Sequence, residues 1–479
     1  MEPEESSSPN SERPETEAPE LALGARVEGG VRREAGDSAA SEQASGVPEP
    51  TVYADLIAPE RVDADAVKVL RRLTRSGYAA FLVGGGVRDL LLGRSPKDYD
   101  IATSARPNEV KREFRNCRII GRRFRLAHIL FAGGKVIEVA TFRKDPEQEG
   151  ATSFVANEIE EDEENPSLRP APKDRGDDAD LLIRQDNTFG EPHEDAIRRD
   201  FTINGLFYDL ERREVIDYVG GVRDLRDAVV RTIGDPDVRF REDPVRILRA
   251  IKFSARLDFG IAPDVYDAIV DVRGELSRSA PPRVLEEILR LLRGGAAQRS
   301  VYLMWDTGVL GLVMPELCAH LEDEAEGAEE VWTRLSIIDR MQAASDLPSD
   351  TVLIAALLYG PLSEAVEGTR DAAGAFDDFF TEMAVRLALP RRLRDRMRLI
   401  YAAQRRLDRG QVNGLDKREI WGDTVRLYAI RALATGRPLP PWAEAAVPRA
   451  PSERAQQPRM RAPSVESRGP QRSRRRPRR

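Results

Sequence analysis

The segment Ala79-Ala-Phe-Leu-Val83, followed at once by Gly84-Gly85-Gly86 and then Val87–Leu92, constrains this chain more than any other stretch. Five apolar residues read as a short buried strand, three glycines stop it, and the apolar run after them reads as a helix. A strand and a helix joined by so tight a turn bury their apolar sides in a common layer, which calls for sheet plus helices. Asp98-Tyr-Asp-Ile-Ala102 reads as a second strand. Ala127–Phe131 and Val136–Phe142 form a hairpin pattern across Gly133-Gly134, and Leu206–Leu210 with Val215–Val219 a second one turning at Glu211-Arg212-Arg213. Asp65–Ser76 carries Ala66, Val67, Leu70 and Leu73 at helical spacing, and from Val222 onward only helices are expected. The fold class is therefore α+β, a small mixed sheet with helices followed by an all-α body.

Charge is segregated along the 479 residues. Residues 1–50 hold 12 acids and 4 bases, residues 144–180 hold 13 and 4, and residues 449–479 hold 11 Arg against 2 Glu. The net charge of -8 thus hides a balanced middle between segments too polar to bury a core. Residues 1–50 are expected to be a disordered acidic extension, 144–180 a mobile acidic loop and 441–479 a disordered Arg-rich tail. No run approaches the ~18 apolar residues of a membrane span, and the acidic first 20 residues do not read as a secretory signal. Only Cys117 and Cys318 are present, which argues against a disulfide scaffold and for the cytoplasm. The three histidines, His128, His193 and His320, are too dispersed for a His-rich metal centre, so a metal here would be held by carboxylates.

Several clusters can carry chemistry. In Gly84-Gly-Gly-Val-Arg-Asp89, Gly85 and Gly86 let backbone N–H groups approach phosphate oxygens at a helix start, and Arg88 can donate to a triphosphate. The same residues also read as an ordinary strand–helix turn. Asp98 and Asp100, two apart on a strand, project together; paired carboxylates are costly without a cation, and Mg²⁺ prefers oxygen. A solvated strand end is the plainer reading. Glu138 sits on a strand face with Val136, Ala140 and Phe142, where a metal or an arginine would satisfy it. Arg198-Arg-Asp-Phe-Thr-Ile-Asn204 gathers Arg199, Asp200 and Asn204 in one turn, able to order a ribose and phosphates or to be a salt-bridge cluster. In Glu242-Asp-Pro-Val-Arg246, Pro244 suits the first helical position with Asp243 as N-cap, so Asp243 and Arg246 lie side by side. One acceptor beside a fork of donors complements the Watson–Crick edge of adenine or cytosine; an i,i+3 ion pair is the alternative. Arg246, Arg249, Lys252 and Arg256 form a cationic stripe, and arginines crowd residues 391–409.

Taken together, Phe81-Leu-Val-Gly-Gly-Gly-Val-Arg-Asp-Leu-Leu-Leu-Gly93 with Asp98-Tyr-Asp100, Arg198–Asn204 and Glu242–Arg246 resembles the signature of class II template-independent RNA nucleotidyltransferases. Gly121-Arg-Arg-Phe-Arg-Leu-Ala-His128 and Leu182–Gly190 are similar to the bacterial poly(A) polymerase branch. The resemblance covers roughly residues 60–260, and the acidic extension and acidic loop depart from it. It implies a polymerase-β-like head over 51–220, a helical neck over 221–300 with the base-selecting motif, and a helical RNA-binding body over 301–440. It also implies AMP transfer from ATP to RNA 3′ ends with two Mg²⁺ ions on Asp98 and Asp100, and Glu138 as a third carboxylate. Gly85, Gly86 and Arg88 would hold the triphosphate, Arg199, Asp200 and Asn204 the ribose, and Asp243 and Arg246 the base. A CCA-adding enzyme and an inactive RNA-binding protein of the same fold are the alternatives.

Overall fold

The computed structural model describes residues 49–121, 125–144, 189–323 and 326–448. The acidic extension, nearly all of the acidic loop, Arg122–Phe124, residues 182–188 of the second branch motif and the Arg-rich tail from 449 lie outside the described residues.

Strand β1 (Thr51–Ala54) leads into helix α1 (Ala64–Arg75). Asp63 caps α1, its Oδ1 accepting from the amides of Asp65 and Ala66 at 2.8 and 3.2 Å. The helix buries Ala66, Val69, Leu70 and Leu73; Val67, expected inside, is only half-buried. Burying an aliphatic side chain of this size stabilises the fold by about 1.5–3 kcal/mol. Then come β2 (Ala80–Val83), α2 (Gly85–Leu91), β3 (Asp100–Thr103), α3 (Pro107–Glu113), β4 (Cys117–Ile120), β5 (Leu126–Leu130) and β6 (Val136–Thr141). After the undescribed loop follow α4 (Pro192–Ile197), β7 (Leu206–Asp209) and β8 (Glu214–Asp217).

These strands make one eight-stranded sheet in the order β1-β8-β7-β2-β3-β6-β5-β4. Only β3 and β6 run parallel; the other neighbours are antiparallel. The sheet is mixed, as expected, but larger. The added edge strands β1 and β4 are four residues each and interrupt apolar with polar residues. One face packs Leu82, Ile101, Ile129, Ile137 and Val139 against α1, α2 and α3. On the other face Val83, Ala102, Phe142 and Phe207 close over Ala196 of α4. The pairing of Val83 with Asp100 places the glycine turn and the start of β3 at the same sheet end.

Beyond the sheet come α5 (Gly221–Arg226), α6 (Pro236–Glu242), α7 (Val245–Leu257), α8 (Pro263–Val272) and α9 (Pro281–Arg293). Two-residue strands Val229–Val230 and Gly260–Ile261 pair among them, a small exception to the all-helical expectation. Helices continue to Ala434, and one apolar cluster runs from Ile57 to Val447. Among the described residues no helix is long and apolar enough to cross a membrane. The boundary expected at residue 440 moves: Trp442 rests on Tyr428 with ring centroids 4.8 Å apart and Ala443 is fully buried, so packing extends through Val447.

Candidate active site

Asp98, Asp100 and Glu138 meet in a cleft of about 520 Å³ at the sheet end, lined also by Lys97, Tyr99 and Lys135. The strand geometry expected for the aspartates needs correction. Asp98 lies in the loop just before β3, and only Asp100 is on the strand. Asp100 and Glu138 are register partners across the parallel pair and project on the same face. The Asp100 carboxyl is pushed up to about 6, first by partial burial, then by the charges of Glu138 and Asp98, against the pull of Arg199. It remains open to the cleft by surface area, so the crowding is of its surroundings rather than a sealed pocket. Glu138 is 48% exposed, and its neighbour is His128, Nε2 to Oε1 3.4 Å, not an arginine. The apolar part of that face begins beyond it, at Phe142.

Among the described residues no group of three or more His, Cys, Asp or Glu is disposed to hold a metal ion by itself. Two carboxylates with an excess of negative charge suit a cation that keeps water and shares phosphate oxygens, the habit of Mg²⁺. The residues fit that ion on their donor chemistry.

At the glycine turn, Gly84 adopts φ 67°, and a Cβ there would approach Arg199 Nη1 to 2.9 Å. Gly85 and Gly86 open α2. Arg88 is not in the cleft. It is 3% exposed, donates Nε and Nη2 to Asp89 Oδ1 at 2.9 and 2.7 Å, and Nη1 to Asn204 Oδ1 at 2.6 Å. Arg88 is buried with α2 and packs against the glycine turn, its Nη2 3.4 Å from where a Gly85 Cβ would stand, rather than lining the cleft. Arg199 is a second cation at the turn; it donates to Asp195 and to the Asn204 carbonyl and acts on the Asp100 carboxyl.

Asp200 and Asn204 lie beneath this turn. Asn204 Nδ2 donates to Asp200 Oδ1 at 3.0 Å, and Arg249 Nε donates to Asp200 Oδ2 at 2.7 Å. Burial alone would raise the Asp200 carboxyl; the charge of Arg249, with hydrogen bonds from Asn204 and Arg249, holds it down at about 2. Arg199, Asp200 and Asn204 are brought together, but largely in contact with one another and with Arg88 and Arg249.

The third cluster also departs in detail. Asp243 ends α6 in extended conformation, Pro244 precedes α7, and no side chain of Asp243 caps that helix. The Arg246 amide donates to the Asp243 carbonyl at 2.9 Å, but their side chains find other partners. Arg246 Nη1 donates to Glu242 Oε2 and the Arg239 carbonyl, while Asp243 Oδ2 accepts from Arg283 of α9 at 2.9 Å. Asp243 Oδ1 is buried and accepts no hydrogen bond within the protein, an orphaned acceptor at the predicted base-reading position. The stripe on α7 meets acids: Arg249 pairs with Asp200, Lys252 with Glu287 at 2.6 Å, and Arg256, itself exposed, approaches Asp89 at 3.6 Å. Arg283 and Glu287 were missed by sequence reasoning; a buried Glu287 among Val284, Leu285, Ile288 and Leu291 was the available signal. Part of the late arginine run is likewise neutralised, Arg396 by Asp423 and Glu419, Arg398 by Asp377.

Residues 80–231 match the family model of the poly A polymerase head domain, and residues 258–321 that of the probable RNA and SrmB-binding site of polymerase A. Poly(A) polymerase I of Escherichia coli O157:H7 is 38% identical over 390 residues, 78% of each chain. A CCA-adding enzyme of Bacillus licheniformis is 35% identical over 249 residues, 51% of this chain and 54% of its own. The crystal structure of the Bacillus stearothermophilus CCA-adding enzyme in complex with CTP is similar at a TM-score of 0.55 and 28% identity, over 80% of each chain.

Proposed function

The chain belongs to the bacterial class II nucleotidyltransferase family of poly(A) polymerases and CCA-adding enzymes, and on that premise we propose that it adds AMP from ATP to RNA 3′ ends without a template, releasing pyrophosphate. One observation carries the reading: Asp98 and Asp100 share an acidic cleft at the sheet end, beside a glycine turn overlaid by Arg199. Mg²⁺ held by Asp98 and Asp100 would favour the deprotonated 3′-OH and stabilise charge developing on the α-phosphate and the leaving pyrophosphate. Backbone amides of Gly85 and Gly86, with Arg199, would bind the triphosphate. Arg88, Asp200 and Asn204 would keep that turn and Arg199 rigid. Asp243 Oδ1 would accept from the adenine amino group and Arg246 donate to the ring nitrogen beside it. Residues 51–220 would form the catalytic head, 221–300 the neck and 301–448 the RNA-holding body. Both cysteines are free, which suits the cytoplasm.

CCA addition remains the second reading, favoured by the 35% identity to a CCA-adding enzyme and by an acceptor–donor pair that serves cytosine as well as adenine. An inactive protein of this fold has no need of two intact cleft aspartates. The test is incubation of the purified protein with Mg²⁺ and each nucleotide in turn, on a generic RNA and on tRNA lacking its CCA end. Long A tails on either RNA from ATP alone are expected. Ordered addition of two C and one A, with no further A, would overturn polyadenylation while leaving the family and the cleft standing.

A further inference from the structure

We propose that the carboxy-terminal end of the helix Arg391–Asp408 is a docking face for the phosphate backbone of single-stranded RNA, with Arg405, Arg406 and Arg409 as its contacts. The inference rests on the RNA substrate proposed above and puts one stretch of its path on the helical body.

The helix buries Met397, Ile400, Ala403, Gln404 and Leu407, so helical spacing turns Arg405 and Arg409 to the opposite, solvent side. Its two ends are treated differently. Toward the start, Arg391 meets Asp395 at 3.7 Å, Arg396 meets Asp423 at 2.6 Å and Arg398 meets Asp377 at 3.1 Å. Toward the end the acids are engaged elsewhere. Asp408 faces Arg431 and Arg437, and Asp416 accepts from the Gly414 amide at 2.9 Å. Arg406 donates to the Asn413 carbonyl at 3.0 Å, and among the described residues Arg405 and Arg409 meet no acid. Leu415 packs with Ala403 and Leu407, which holds the next segment, with its exposed Lys417 and Arg418, against the helix end.

The helix dipole favours cations in a last turn, which is reason enough for Arg405 or Arg406 alone; it does not explain Lys417 and Arg418 beyond the helix. Two features choose RNA over a protein partner. Among the described residues beyond Leu399 no large apolar side chain is exposed. A protein would find no apolar centre to bury there, whereas phosphates need only charge and donors. Ala443 joins the cluster of Ala403 and Leu407, so the chain enters residues 449–479, with their 11 Arg, from beside this face.

The test measures binding of the full chain to an unstructured single-stranded RNA, without nucleotide, over a range of salt. In Arg405→Gln/Arg406→Gln/Arg409→Gln the fall of log affinity with log salt should be shallower by about 2, at ~0.7 per phosphate contact. The corresponding triple Lys variant should keep the parent's slope, because the charge is retained. Removing a balanced pair with Arg398→Gln/Asp377→Asn should leave the slope as it is. Where the triple Gln variant melts below the parent, Arg405→Gln alone, which touches no ion pair among the described residues, should still lower the slope by ~0.7. An unchanged slope in the Gln variants contradicts the inference and leaves the face to an acidic protein segment. A Lys variant as impaired as the Gln variant, or a balanced pair that matters as much, contradicts it too. The nucleotide assay stands apart: a parent that binds RNA through these arginines but transfers no AMP keeps this face and loses the proposed reaction, and a parent that binds no RNA loses both.

Discussion

Two carboxylate clusters lie within the same sheet end and its flanking helices, and they are treated in opposite ways. Around Asp200 the protein supplies the counter-charge itself: Arg249 forks onto it, Asn204 donates to it, and the carboxyl sits at about 2. Its neighbours Asp89 and Glu287 likewise have Arg88 and Lys252. In the cleft, Asp98, Asp100 and Glu138 gather with Arg199 as the one cation lowering the Asp100 carboxyl, Lys135 on the lining being held by Asp63 and Asp65, and that carboxyl is pushed up to about 6. A protein that balances one cluster could balance the other. On the function proposed above, the imbalance suits the cleft to an outside cation, whereas the balanced cluster ties α7 and α9 to the segment around Asp200.

The largest effect should come from the unbalanced side. Asp98→Ala or Asp100→Ala should reduce AMP incorporation by more than about a thousandfold with no loss of melting temperature, measured on RNA with ATP; turnover within tenfold of the parent would break the comparison at its root. The balanced side should answer in stability instead. Asp200→Ala leaves Arg249 buried without its partner and should cost about 3–5 kcal/mol in denaturant unfolding, a loss below 1 kcal/mol contradicting that tie. Between the two stands Asp243, with one oxygen paired and one orphaned. Asp243→Ala should lower the preference for ATP over GTP and UTP about 10-fold, a figure set by the ~1.4 kcal/mol of one hydrogen bond; selectivity that survives places base reading elsewhere.

The smallest effect is one of pH. Asp100 has a folded pKa raised above the ordinary value near 4, so the folded state binds the extra proton between about 4 and 6. Metal-free protein should therefore lose stability as pH rises through that window. Asp100→Asn should remove the loss, by on the order of 1 kcal/mol, discounted because the carboxyl faces solvent. Asp200 has the opposite sign: its contribution is full above about 4 and fades as pH falls toward 2. An Asp100→Asn variant no more stable than the parent at neutral pH counts against the crowding of the cleft.

Much of the head was legible because its signals are local. Strand β2, the glycine turn and the two hairpins follow from apolar runs and turn residues within a dozen positions. The pairing of Val83 with Asp100, and of Asp100 with Glu138, then brings two of the expected site residues together at the end of β2. What failed was local reading of long-range matters. Nothing near Arg88 says that it is buried against Asn204 or that Arg199, 111 positions later, joins it at the turn. The sequence shows the α7 stripe as a row of cations and hides what they meet, because the acids that pair with it come from α2, α9 and the segment around Asp200. Arg283 clamps Asp243 from 40 positions away. The short edge strands β1 and β4 carry too few apolar residues to announce themselves.

The central claim, that the cleft carboxylates are kept short of positive charge for a divalent cation used in nucleotide transfer, is tested most directly by titrating the Asp100 carboxyl by ¹³C NMR with and without Mg²⁺. Without the ion the titration should centre at about 6, and with it the carboxyl should stay ionised well below that, while Asp200 responds to neither. An Asp100 carboxyl that titrates in the ordinary aspartate range and ignores Mg²⁺ would contradict the account.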